Sequence, residues 1–133
     1  MSARRKAREQ TLKALYACEV GEGEPAVAFA DLERDSKLPS DAAEFSRNLF
    51  EHVAPQFAEL DIIIAGLSSH WPIDRIAPID KCVLRLAITE MNKFPDIPKK
   101  VTINEAIELA KRYGSAESAG FINGILDSYA KTL

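Results

Sequence analysis

The chain reads as an all-α domain, a compact bundle of six or seven helices, and three observations predict it. Between Pro78 and Phe94 apolar residues recur three and four apart, at Ile79, Val83, Leu86, Ala87 and Met91, the spacing that stacks side chains on one helical face. Cys82, Leu84 and Ile88 fill much of the remaining circumference, leaving Lys81, Arg85 and Thr89 as a narrow polar strip. A helix apolar nearly all round is surrounded by other helices. The same periodicity recurs on both sides of this segment, and no stretch alternates apolar and polar residues as a half-buried strand does.

In chain order, Ser2 is a good N-cap for a first helix running to about Val20. Ala7, Thr11, Ala14 and Cys18 give it a small-residue face suited to close packing. Arg4, Arg8, Leu12 and Tyr16 form a second line that mixes cations with an apolar and an aromatic residue. Gly21, Gly23 and Pro25 end the helix. A short helix follows from Ala26 to about Asp35. Ser40 is expected to cap a third from Asp41 to about Val53, with Phe45, Leu49 and Val53 inward. Pro55 separates a fourth, about Gln56 to Ser68, and Asp74 starts one short turn before the central helix.

Pro78 suits a first helical turn, with Asp80 near the positive dipole end, and Pro95 stops the central helix. Thr102 and Glu105 have the spacing of a capping box for the next helix, which ends at Lys111-Arg112-Tyr113 and Gly114. Ser115 is expected to cap the last helix, to about Lys131. There Ile122, Ile125, Leu126 and Tyr129 make a core face. Ala116, Gly120 and Gly124, spaced by four, suggest a groove for another helix, and Asn123 reads as a buried amide. Phe121 falls beside the core face, either a second-layer core residue or an exposed ring able to stack a base.

A chain of 133 residues, 47% hydrophobic and 28% charged, is an ordinary single domain able to bury its own core. No apolar run approaches a membrane span, and the basic N-terminus lacks the apolar stretch of a secretory signal. Cys18 and Cys82 are far apart and form no CxxC pair, as expected of reduced thiols in a cytoplasmic protein.

Catalysis is not expected. His52 and His70 lack the spacing of metal ligands, there is no phosphate-binding glycine loop and no GxSxG, and Cys82 sits inside a buried helical pattern, where thiols are usually inert. No cofactor is implied. The charge distribution is more informative. Residues 1–13 carry Arg4, Arg5, Lys6, Arg8 and Lys13 against Glu9, a net +4, which leaves −7 for the other 120 residues of a chain whose total is −3. That is a basic element on an acidic body. Cations oppose the dipole at a helix N-terminus, so stability does not explain the cluster, whereas arginine suits phosphate contact and base stacking.

The segments Arg4-Arg5-Lys6-Ala7-Arg8-Glu9 with Ala14-Leu15-Tyr16, the run Ile76 to Glu90, Asn104 to Lys111, Tyr113-Gly114, and Phe121 to Asp127 together resemble the NusB family of transcription antitermination factors. The resemblance spans both ends and the middle, and only about 24–70 is undistinguished. It implies two packed helical subdomains and a non-enzymatic role: binding the boxA element of nascent rRNA transcripts together with the small-subunit ribosomal protein NusE, and, through other Nus factors, suppressing termination by RNA polymerase. It implies that Arg4, Arg5 and Arg8 contact RNA with Phe121 near its path, and that Tyr16 and Asp80 lie on the face taking the protein partner. Two features depart from the expected pattern. A basic C-terminal tail is missing before Leu133, and Glu117 sets an acid one turn before Phe121. A NusB-like domain also occurs ahead of an rRNA cytosine methyltransferase, and a helical interaction protein without RNA is a further reading. A homodimer formed through the Arg–Tyr line would bury the RNA surface.

Overall fold

The structure is a computed structural model that describes residues 2–21 and 23–133. Among the described residues seven α-helices run in the order α1 (Ala3–Glu19), α2 (Pro25–Arg34), α3 (Ser40–Val53), α4 (Phe57–Leu67), α5 (Pro78–Lys93), α6 (Lys99–Tyr113) and α7 (Ser118–Ala130), with 3-10 turns at Ala54–Gln56 and Ile73–Arg75. One subdomain is α1–α3. The other is built by α4–α7 around α5, and α1 and α3 pack directly on α5 to join the two.

Local chemistry accounts for most boundaries. Ser2 Oγ accepts the Arg5 amide at 3.1 Å, satisfying one free donor of α1, and Gly21 just beyond the helix takes φ +79°, a left-handed conformation that glycine adopts without strain. α5 is the central rod. Residues Cys82 to Met91 are buried without a break, so the polar strip expected along it is not a solvent strip. Arg85 and Thr89 are within the core, and Arg85 is held by Asp61 (2.8 Å) and Glu19 (2.5 Å) with its guanidinium 4.1 Å from the centre of the Phe57 ring. Burial pushes the Cys82 thiol up to about 12, which keeps it protonated and inert.

The small face of α1 packs as expected. Ala7, Thr11 and Ala14 are fully buried, and the Thr11 hydroxyl sits 2.9 Å from Ser46 Oγ on α3. Other caps differ from the sequence reading. Pro39, with φ −56° and ψ 155°, rather than Ser40 stands at the α3 N-cap, and Ser40 is the first helical residue. Pro55 does separate α3 from α4 as expected, within the 3-10 turn that links them. α6 begins at Lys99, which places Thr102 and Glu105 inside the helix, so they form no capping box. α7 begins at Ser118, whose Oγ accepts the Ser115 amide at 2.9 Å, reversing the expected roles.

Gly120 and Gly124 face open space and Asn123 is exposed, so the last helix presents these residues outward and none of the described residues fills the expected groove. Gly114 is the glycine that close approach demands. A Cβ there would lie 2.5 Å from Ser118 Oγ and 2.8 Å from the Ala110 carbonyl oxygen.

Candidate nucleic-acid interface

The basic start of α1 divides into three environments. Arg4 is exposed, and its guanidinium lies 4.4 Å from the centre of the Phe45 ring, which itself meets Phe94 edge-on at 5.2 Å. The planar cation is thus steadied by an aromatic face while its N–H groups stay available. Arg5 donates from Nε and Nη2 to both oxygens of Glu105, at 2.9 and 2.8 Å, with 36% of its side chain exposed. That fork, first as hydrogen bond and then as charge, holds the Glu105 carboxyl below the usual range and raises Arg5.

Arg8 belongs to the interior. It is 3% exposed and donates to both oxygens of Glu90 at 2.7 and 2.9 Å, and the Thr102 hydroxyl donates to the same carboxylate. Arg8 is therefore not part of the exposed basic surface, contrary to the sequence reading. Helical periodicity turns it inward, with its guanidinium 5.3 Å from the centre of the same Phe45 ring. Glu90, which the sequence reading did not single out, and Glu105, read there as half of a capping box, hold the cationic end of α1 against α5 and α6. A signal was present: Glu90 is a carboxylate inside an apolar helix, and buried carboxylates need a cation.

Phe121 and Asp80 share a second hollow of about 220 Å³ with Trp71, Arg75 and Glu117. Phe121 is half-buried and Trp71 is 53% exposed, so two aromatic rings border one opening. Asp80 is 8% exposed, and its Oδ1 has no hydrogen-bond partner. Burial raises its pKa, offset in part by a hydrogen bond from Ser118. Trp71 and Arg75 were missed by sequence reading because they fall in the turn segment 69–77, where periodicity is silent.

Tyr16, 40% exposed, lies instead in a hollow of about 520 Å³ with Leu12, Lys13, Pro78, Ile79 and Tyr113. Tyr16 and Asp80 thus border different hollows, with the first turn of α5 contributing Pro78 and Ile79 to one and Asp80 to the other. The Tyr16 hollow is apolar with a cation at its rim, a form suited to protein contact. Among the described residues no group of three or more His, Cys, Asp or Glu could hold a metal ion, and no helix is long and apolar enough to cross a membrane.

The arrangement is that of a helical binding module with a basic edge, an aromatic hollow and an apolar hollow. The NusB family model matches residues 5–131, and the chain belongs to the NusB family of transcription antitermination factors. The transcription antitermination protein NusB of Myxococcus xanthus is 44% identical over an alignment covering 100% of this chain and 98% of that protein. The protein of the same name from Geobacter sulfurreducens is 44% identical, covering 100% and 97%. Among solved structures, T. maritima NusB superposes with a TM-score of 0.90 at 34% identity, covering 98% of this chain and 92% of that one. A structure of antitermination factors NusB and NusE in complex with dsRNA matches with a TM-score of 0.86 at 25% identity, covering 100% and 99%.

Proposed function

We propose that this protein is an RNA-binding adapter of transcription antitermination, which binds the boxA element of nascent rRNA transcripts together with the small-subunit ribosomal protein NusE and so helps assemble the antitermination complex on RNA polymerase. The observation that carries the reading is the pairing of an exposed Arg4 with a forked Arg5 at the start of α1, on a chain whose residues 14–133 are net acidic. That a NusB relative forms a complex with NusE and RNA supports the choice of partners.

In this reading Arg4 and Arg5 contact RNA phosphates or bases, and Arg8 positions them by anchoring α1 to Glu90. Phe121 and Trp71 offer rings to an unstacked base. Tyr16 and its hollow take the ribosomal protein, with Asp80 at the boundary between the protein and RNA sides. A homodimer through the Tyr16 hollow would compete with that partner.

The test is a gel-shift titration on a boxA-type single strand, with and without the NusE-type protein. Binding should be weak alone and much tighter with the partner. Its log–log salt dependence should flatten by about 0.7 in Arg4→Ala, the contribution of one phosphate contact in a single strand. Binding that is neither salt-sensitive nor sequence-selective in either condition would sink the reading.

A further inference from the structure

A third groove borders none of the residues placed so far in RNA binding. It holds about 610 Å³ between α1, the end of α2 and the segment leading into α3. Its floor is aliphatic, formed by Ala3, Leu32, Leu38 and Pro39. Its rim is cationic, carrying Lys6, Lys13, Lys37 and Arg112. Lys6 and Lys13 stand seven apart on α1 and so project from one face.

Among the described residues no acid holds these lysines in an ion pair. Among the described residues the lysines in ion pairs are Lys81, Lys111 and Lys131, and Lys6, Lys13 and Lys37 are exposed. The two acids bordering the groove have other neighbours. Glu9 accepts from Tyr113 at 2.8 Å and Arg112 at 3.1 Å, and Asp35 lies 4.0 Å from Arg34. The N-terminal ends of α1 and α3 also reach the groove, at Ala3 and Pro39, and add positive dipole ends to the lysine charge. No aromatic ring lines it, so it lacks the stacking platform that single-stranded bases require.

We propose that this groove docks an acidic, aliphatic peptide segment of a partner protein, whose leucine-type side chains cover the floor while its carboxylates meet Lys6, Lys13 and Lys37. Charge complementarity selects the partner, since a cationic rim on an otherwise acidic chain admits acidic segments and repels basic ones. The surface is additional to the Tyr16 hollow and does not depend on the RNA reading. The adapter would then hold RNA and two protein segments, with Lys13 on α1 bordering both protein sites.

Fluorescence anisotropy with a labelled peptide of Glu-Leu repeats tests it on the full chain. The peptide should bind, Lys37→Glu should weaken it about tenfold, roughly the loss of one good charge contact, and replacing its leucines with serine should weaken it as well. Lys37→Glu should leave boxA RNA affinity unchanged. Three results would each overturn the proposal. Equal binding of the serine peptide would reduce the groove to bulk charge. A loss of RNA affinity in Lys37→Glu without peptide binding would assign it to an RNA path. Concentration-dependent self-association abolished by Lys37→Glu would assign it to a second copy of this chain.

Discussion

Arg8 on α1 and Glu90 on α5 form a forked ion pair in the core, 2.7 Å from Nε to Oε1 and 2.9 Å from Nη2 to Oε2, with side chains 4% and 0% exposed. The pair lies where the basic helix crosses the central rod. It fixes the roll of α1 and hence which arginines face outward. Thr102 donates to the same carboxylate, so its lone pairs are well used.

Breaking this pair from one side should be costly. Glu90→Ala leaves a guanidinium buried without its carboxylate, and the expected loss is about 3–5 kcal/mol of stability. Urea denaturation followed by circular dichroism measures it. The double variant Arg8→Met/Glu90→Leu should recover most of the loss, because apolar side chains of similar volume often replace a buried pair at little cost. A double variant as unstable as Glu90→Ala would show that the fork itself, and not the stranded charge, holds the crossing.

The glycines of the C-terminal half should separate cleanly. Gly114→Ala drives a methyl group against the Ala110 carbonyl oxygen, which is backbone and cannot swing aside, and should cost about 1–3 kcal/mol. Gly120→Ala and Gly124→Ala meet nothing within 4 Å inside α7 and should each stabilise by about 1 kcal/mol. The same denaturation series compares all three. Destabilisation by Gly120→Ala would mean that this face is occupied in solution.

Carboxylates in this protein pull the pH dependence in opposite directions. Glu105 and Glu19 have folded pKa values below their ordinary ones. For Glu19, burial opposes the shift, and hydrogen bonds from Arg85 and Lys81 outweigh it. Their stabilisation is present above the ordinary glutamate range and is lost as pH falls through the lower folded values. Asp80 is raised by burial, so its contribution is full below the ordinary aspartate range and disappears as pH rises through the folded value. Asp80→Asn should therefore raise the melting temperature at pH 7 and leave it unchanged below the ordinary aspartate range. A melting temperature lowered at pH 7 would show that the buried carboxylate is used by a contact that outweighs its desolvation.

How far the sequence reveals this molecule follows from the length scale of each signal. The number of helices, the central α5 and the packing face of α1 are carried by three-and-four spacing within one segment, and they are visible without a structure. Charge clustering also marks the start of α1. It does not say which arginine faces inward, because that is decided by Glu90 and Glu105, 82 and 100 residues away. Thr102 and Glu105 fit a capping box by spacing alone, yet Pro98 starts the helix earlier and frees both side chains for tertiary partners. The small residues of α7 read as a packing groove because mid-helix glycine usually has a neighbour to admit, and here none is present. The cationic groove is spread over α1, α2, the α3 approach and Arg112, so no local pattern announces it.

Arg5 and Glu105 set the last expectation, which concerns the salt dependence of RNA binding. A cation already neutralised by a carboxylate has few condensed ions to exchange. When RNA phosphate takes Arg5 from Glu105, one ion pair replaces another and counterion release from the strand is partly cancelled by the freed carboxylate. Arg5→Ala should thus weaken boxA RNA while changing the log–log slope less than Arg4→Ala does. Glu105→Gln removes the competitor. It should tighten RNA binding severalfold at low salt and steepen the slope by about 0.7, the value of one further phosphate contact. The pair is partly exposed, so Glu105→Gln leaves the protein folded, and binding titrations at several salt concentrations compare folded proteins. If Glu105→Gln leaves both affinity and slope unchanged while Arg4→Ala flattens the slope, Arg5 stays off the RNA and serves only to tie α1 to α6.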